Sequence, residues 1–253
     1  GAGGKQHVVG DLGAAPDLGP ALAGIDAVVH LAGFAHGGQQ CSTDAERACY
    51  RANVAATMNL ARAAAAKGVR RLVFLSSIKV NGDYTEARPF RELDPPDPAD
   101  DYARSKWAAE QTLQCIAADT GLQVVVIRPP LVYGPGVKAN FLRLMQLVDR
   151  GVPLPLATLS NRRSLVNINN LASLIQTAVH HPDAAGETFL ISDQQDLSTP
   201  ELIRILAAAL GRSARIFPVP LFVLAGVARL LGREADYGRI AGSLQLDSSK
   251  ASQ

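Results

Sequence analysis

The chain has 253 residues, 47% of them hydrophobic, enough to bury a substantial core without disulfides or metal staples. Its formal charge is +2, with 25 basic residues scattered among 23 acidic ones. The longest basic clusters, Arg70–Arg71 and Arg162–Arg163, exclude the basic stripe of a nucleic-acid binder.

The N-terminal GAGGKQHVVGDLG has neither a long apolar run nor a signal-peptide layout. A dinucleotide-binding fold normally opens with a strand, a GxGxxG turn and a helix that together hold a pyrophosphate. Residues 1–4 follow no strand, and GxGxxG occurs nowhere later. The sequence is therefore expected to begin near the third strand of such a fold, around His7–Val9, with the first strand–helix–strand unit absent. Taken literally, these residues should bind a dinucleotide cofactor poorly.

Four apolar, β-branched runs read as buried strands of a parallel sheet: 27–31 (AVVHL), 71–75 (RLVFL), 123–127 (QVVVI) and 188–191 (TFLI). Helical patterns separate them. Residues 43–67 are Ala-rich and stop at Gly68; 101–119 stop near Gly121; 169–180 start after a good capping residue. This alternation predicts right-handed crossovers and a doubly wound α/β sheet. Cys41, Cys49 and Cys115 form no CxxC pair and no metal-ligand spacing, so they are expected to pack within helices; no metal is expected, and a reducing cytoplasm suits them.

After Arg128 prolines and glycines cluster in RPPLVYGPG, a helix begins near Asn140, and the sequence from Ser198 onward is helical and rich in alanine and leucine. The expected organisation is a core of 1–128 and 166–192, with a smaller, mostly helical substrate lobe of 129–165 and 193–253. The most lipophilic segment, 216–231, carries two prolines and Arg229 and falls short of the ~20 apolar residues of a membrane helix. A buried helix or a lid is expected there, without stable membrane insertion.

Tyr102 and Lys106 lie at i and i+4 in DDYARSKWAAE, on one helix face. A phenol is a poor base at neutral pH, with a reference pKa of about 10, but a nearby ammonium and an oxidised nicotinamide favour the phenolate. The pair then suits acid/base work on a hydroxyl. LSSIKVNG places Ser76 and Ser77 at the carboxyl edge of the sheet, where ligands bind in this architecture. A hydroxyl there can hydrogen-bond the reacting oxygen. Each motif alone has a bland alternative: a surface Tyr with a solvated Lys, or a serine turn.

Six motifs occur in one order: VVHLAG (28–33), Asn53, LSSIKVNG (75–82), Tyr102 with Lys106, RPPLVYGPG (128–136) and RRSLVNINNLA (162–172). Together they resemble the extended short-chain dehydrogenase/reductase family, particularly nucleotide-sugar epimerases, dehydratases and 4-keto reductases of bacterial surface-polysaccharide synthesis. The resemblance implies a Rossmann-like sheet and the cofactor NAD, with NADP left open because the residue that reads the adenosine ribose is not in this sequence. It implies Ser77, Tyr102 and Lys106 as catalytic residues. Asp11 and Leu12 would contact the adenine; Leu31, Ala32 and Gly33 would pass the phosphates and ribose. Asn53 matches a structural Asn, Ser76 adjoins the cofactor, Lys106 also holds the nicotinamide ribose, and Pro129 and Val132 line the nicotinamide pocket.

For the substrate, the resemblance implies a UDP-sugar gripped by Arg163, with Ser77 on the reacting oxygen. Lys138 and Asn140 fall at a helix start, where free N–H groups attract phosphate; the bland alternatives are a solvated Lys138 and a surface salt bridge for Arg163. Departures from the family pattern are Asn81 where Tyr is usual, Leu131 where Asn is common, and Ser164 and Asn170 where aspartates are expected. The helices at 43–67 and 101–119 match those of family dimer interfaces, so a cytoplasmic homodimer is expected. The implied activity is oxidoreduction at C4 of a UDP-hexose or UDP-N-acetylhexosamine, as 4-epimerase or 4-keto reductase. Alternatives are a hydroxysteroid- or flavonoid-type NAD(P)-dependent reductase and a truncated, non-catalytic member.

Overall fold

The computed structural model describes residues 6–34 and 50–252. Residues 1–4, Cys41, Cys49 and the start of the 43–67 helical pattern lie outside them.

The strands are β1 (Ala27–His30), β2 (Arg71–Leu75), β3 (Gln123–Arg128), β4 (Leu131–Tyr133), β5 (Leu165–Asn167) and β6 (Thr188–Leu190). Four form one sheet in the order β1-β2-β3-β6. β2 pairs in parallel with β1 and with β3, in a register that puts Arg71 beside Ala27 on one side and Gln123 on the other. A central parallel strand is covered on both faces, which is why β2 and β3 read as unbroken apolar runs. Leu72, Phe74, Val125 and Ile127 are fully buried. Among the described residues β1 is at the edge of this sheet, and Val29 on it is partly exposed.

Besides a four-residue helix, Gly19–Leu22, the main helices are α1 (Ala56–Ala66), α2 (Asp101–Thr120), α3 (Ala139–Asp149), α4 (Ile168–His180), α5 (Thr199–Ala209), α6 (Leu221–Leu230) and α7 (Glu234–Ala241). A π-helical turn, Arg51–Ala55, leads into α1. Ala61 and Ala64 of α1 and Ala109 and Leu113 of α2 are fully buried and pack with Leu72, Phe74, Val124 and Val126. Small residues on α1 let its backbone approach the sheet closely. Asp100 caps α2 by accepting from Ala103 N–H at 2.8 Å, and Gly121 ends it in the left-handed conformation, φ 76°.

Two compact units divide the chain: 1–82, 95–129 and 172–189; and 83–94, 130–171 and 190–253. Segment 83–94, which the sequence grouped with the core, joins the second unit through backbone bonds from Thr85 N–H to Ser243 O, 2.8 Å, and Phe90 N–H to Gln245 O, 2.9 Å. The second unit contains the short parallel pair β4–β5 and a small core of Val148, Ile203 and Ala207 beneath α3 and α5. Ser198 and Glu201 form a full capping box at the start of α5.

Three expectations are corrected. His7–Val9 is not a strand: it has no pairing neighbour among the described residues, and Val8 is 94% exposed. Nor is the 216–231 segment a buried helix; α6 buries no side chain, and Phe222 and Leu230 are 78% and 86% exposed. Cys115 lies on α2 but on its solvent side, exposed instead of packed. Among the described residues no helix is long and apolar enough to cross a membrane.

Candidate active site

Tyr102, Lys106 and Glu110 succeed one another at four-residue steps along α2, so they share one stripe of the helix. Lys106 is buried. Its Nζ donates to Leu75 O at 2.9 Å and lies 4.7 Å from the centroid of the Phe74 ring. The carbonyl dipole and the ring face offset the cost of removing an ammonium from water. Leu75 ends β2, and Ser77 follows two residues later as the cap of a one-turn helix, Ile78–Val80, its Oγ accepting from Lys79 N–H at 3.3 Å. Lys79 in turn forms an ion pair with Asp100, the cap of α2. Two links therefore tie the Ser77 turn to α2, one at each side of Tyr102, which is half-buried.

A second set of bonds fixes the segment after β1. Asn53, fully buried in the π-helical turn, accepts from Phe34 N–H at 2.7 Å and donates to Phe34 O at 3.0 Å. Its Nδ2 also donates to Ser105 Oγ at 2.8 Å, and Ser105 Oγ donates onward to Tyr102 O. Asn53 thus holds the 31–34 backbone against α2. Leu31, Ala32 and Gly33 are exposed. A Cβ at Gly33 would fall 2.9 Å from Lys106 Nζ, so a side chain there would displace the ammonium. Bare backbone beside a fixed cation is a cradle that suits a cofactor's ribose and phosphates.

His30, buried at the end of β1, stacks on Phe74 with centroids 5.6 Å apart. Thr57 Oγ1 donates to Asn53 O at 2.6 Å, so it accepts from His30 Nε2 at 2.9 Å and fixes that nitrogen as the protonated one. Burial, and then the Lys106 charge, hold the imidazole pKa down at about 4. An unfolded His takes up a proton below about pH 6.5 and the folded one only below about 4. Stability should therefore fall by about 3 kcal/mol as pH drops through that window, then level off. Urea unfolding midpoints between those pH values should lose most of this slope in a His30→Gln variant; an unchanged slope would assign it to other groups.

Asp11 caps a one-turn helix, Leu12–Ala14, accepting from Gly13 N–H at 2.9 Å, and pairs with Arg51; Leu12 O accepts from Asn59 at 2.9 Å. Ser76 is buried, and its Oγ donates to Glu110 Oε1 at 2.5 Å. Pro129 is buried, its carbonyl accepting from Ile78 N–H at 3.0 Å, and Val132 lies in β4. In the second unit Lys138 is the exposed cap residue of α3, with Asn140 exposed in the first turn. Arg163 Nη1 donates to Arg239 O at 2.8 Å and Gly242 O at 3.0 Å, at the carboxyl end of α7. Burial pushes its pKa down, while Tyr84 and Asp83 push it up. Sequence reasoning missed Ser105, His30, Glu110 and Arg128. A signal for Glu110 was present, since it repeats the four-residue step from Lys106.

A parallel sheet whose carboxyl edge carries a serine turn and a Tyr/Lys helix is the frame of a Rossmann-like oxidoreductase or isomerase. The chain belongs to the NAD dependent epimerase/dehydratase family, whose model matches residues 3–192. It is 44% identical over 243 residues to a UDP-glucose 4-epimerase of Vibrio cholerae, spanning 95% of this chain and 74% of that one. An N-acetyl-α-D-glucosaminyl-diphospho-ditrans,octacis-undecaprenol 4-epimerase of Escherichia coli O157:H7 is 29% identical over 222 residues, 86% of this chain and 65% of that one. Among solved structures, MoeE5 in complex with UDP-glucose and NAD superposes with a TM-score of 0.75 at 25% identity, covering 96% and 77% of the two chains. The chain is thus of the NAD-dependent nucleotide-sugar epimerase/dehydratase type, as its sequence motifs implied.

Proposed function

We propose that this chain catalyses oxidoreduction at C4 of a UDP-hexose or UDP-N-acetylhexosamine, as a 4-epimerase. The observation that carries the reading is Lys106: its ammonium is fixed at the end of β2, two residues before Ser77 and one helical turn from Tyr102. Tyr102 takes the C4 hydroxyl proton and later returns one, Ser77 hydrogen-bonds the same oxygen, and Lys106 favours the phenolate. The exposed 31–33 backbone, Asn53, Ser76, Lys106, Pro129 and Val132 would hold NAD, with Asp11 and Leu12 toward its adenine. When bound, NAD supplies the hydride acceptor at C4 and afterwards the hydride donor. Lys138, Asn140 and Arg163 would meet the substrate's diphosphate, a role for the second unit as substrate lobe. The 44% identity to a UDP-glucose 4-epimerase favours epimerisation over 4-keto reduction. The sparse cysteines support a cytoplasmic setting, and α1 and α2 are the helices proposed to meet a second copy.

The test is to incubate the protein with UDP-glucose or UDP-N-acetylglucosamine and substoichiometric NAD. The 4-epimer should accumulate with no net change in NADH absorbance. Product formed only with stoichiometric NAD(P)H oxidation would replace the epimerase by the reductase. A second reading is favoured by the exposed apolar surface of α6: a sugar diphosphate carried on a polyprenol, as the name of the Escherichia coli relative describes. Turnover of the lipid-linked sugar in place of the UDP-sugar would select it.

A further inference from the structure

Behind the Ser77 turn lies a buried ionic network. Glu110 Oε1 accepts from Ser76 Oγ at 2.5 Å and from Arg128 Nε at 3.0 Å, and its Oε2 accepts from Arg128 Nη2 at 2.5 Å. Arg128 Nη1 donates to Asn81 Oδ1 at 2.9 Å, and the Arg128 guanidinium lies 5.8 Å from the Trp107 ring. Ser76 and Arg128 are each 4% exposed, Asn81 and Glu110 each 1%. Moving an ion pair from water to the interior costs several kcal/mol per ion, and well-packed apolar residues could fill the same volume. A bulk stability role therefore explains this pair poorly.

Its attachments suggest a different role. Ser76 immediately precedes Ser77, and Asn81 ends the one-turn helix that Ser77 begins, its N–H donating to Ile78 O at 2.8 Å. The network thus grips both ends of the turn carrying the Ser77 hydroxyl. Glu110 anchors it to the same stripe of α2 that presents Tyr102 and Lys106. Arg128 ends β3 and precedes Pro129, so the grip extends to the neighbouring strand end. The short amide of Asn81 reaches Arg128 from within the turn itself.

We propose that Glu110, Arg128 and Asn81 are positioning residues: a buried brace that fixes the Ser77 hydroxyl relative to the Tyr102–Lys106 stripe. This rests on the catalytic reading of Ser77, Tyr102 and Lys106 above. The brace makes α2 the common frame for phenol, ammonium and hydroxyl, so a shift of the helix carries all three together. Misplacing a reacting group by about 1 Å can cost on the order of 100-fold in rate.

The test uses Ser76→Ala and Asn81→Leu, changes at two ends of the brace, with Glu110→Gln alone and combined with Ser76→Ala. For the protein saturated with NAD and turning over UDP-glucose, each single change should lower kcat by about 10- to 100-fold. KM for the sugar should stay within about twofold, because binding energy common to ground and transition states is untouched. Glu110→Gln combined with Ser76→Ala should cost less than the product of the two single losses, since the two changes share the Ser76–Glu110 bond. If Tyr102→Phe is inactive but Ser76→Ala and Asn81→Leu retain wild-type kcat, with only a lowered melting temperature, the brace is merely structural and the proposal fails. If Tyr102→Phe retains activity, the catalytic reading fails and the brace with it.

Discussion

Tyr102→Phe is expected to lower kcat for epimerisation by about 1,000-fold, the middle of the range for a positioned acid/base. The substitution removes one oxygen and leaves the ring. Asp100 still caps α2, and the Ser105 bond to Tyr102 O uses the backbone, so neither depends on the phenol. The α2 cap and the apparent affinity for NAD should accordingly be retained. Lys106→Met should produce a loss of the same order for a different reason. It deletes the bond to Leu75 O and the charge over Phe74, so the phenolate loses its cationic neighbour and the end of β2 loses a donor. Steady-state epimerisation rates, with binding of NAD followed separately, distinguish the two roles. A Tyr102→Phe enzyme within about tenfold of wild type would remove the phenol from the mechanism.

How much of this was legible in the sequence follows from where each signal resides. β2 was readable because both its faces are buried, leaving an unbroken apolar run, 72–75, between Arg71 and Ser76. α2 was readable within a residue because its cap and its terminal glycine are local. β4 and β5 were not, since strands of three residues carry no readable period. Segment 83–94 was misgrouped for a related reason: its partners lie near residues 243–246, and hydrogen bonds of that span leave no local pattern. Tyr102 and Lys106 were marked by a helical step and the Ser76–Ser77 pair by a strand end, with Ser77 singled out by the family resemblance. Arg163 illustrates the opposite case. Its Nη1 donates to carbonyls 76 and 79 residues away, bonds whose span leaves no local pattern beside the substrate role that the family resemblance implied. Arg128 opened a recognised motif, yet its carboxylate partner sits 18 residues earlier on another element.

Arg71 carries the largest stability effect expected from a single side chain. It reads as the polar first residue of an apolar strand, where a cation at the surface would be ordinary. It is instead only 1% exposed. Nη1 donates to Ala178 O at 2.9 Å, Val179 O at 3.2 Å and His181 O at 2.5 Å, so the guanidinium closes the carboxyl end of α4. Nε and Nη2 both donate to Gln123 Oε1, at 3.1 and 2.8 Å, on the neighbouring strand. The charge is met by carbonyl dipoles at a helix end, where a cation is favoured. Burial, and then the Arg70 charge, push its pKa down, although an arginine so placed stays protonated. Arg71→Leu keeps apolar bulk on β2 but strips donors from three helix-end carbonyls and from Gln123. Unmet buried acceptors cost about 1–3 kcal/mol each before relaxation, so a net loss of about 3–5 kcal/mol is expected, read as a lower urea midpoint with an unchanged slope. Arg71→Lys should recover only part of it, because an ammonium cannot span both the helix end and the strand. A loss below about 1 kcal/mol for Arg71→Leu would mean that water reaches the end of α4 and meets its carbonyls as well as the guanidinium does.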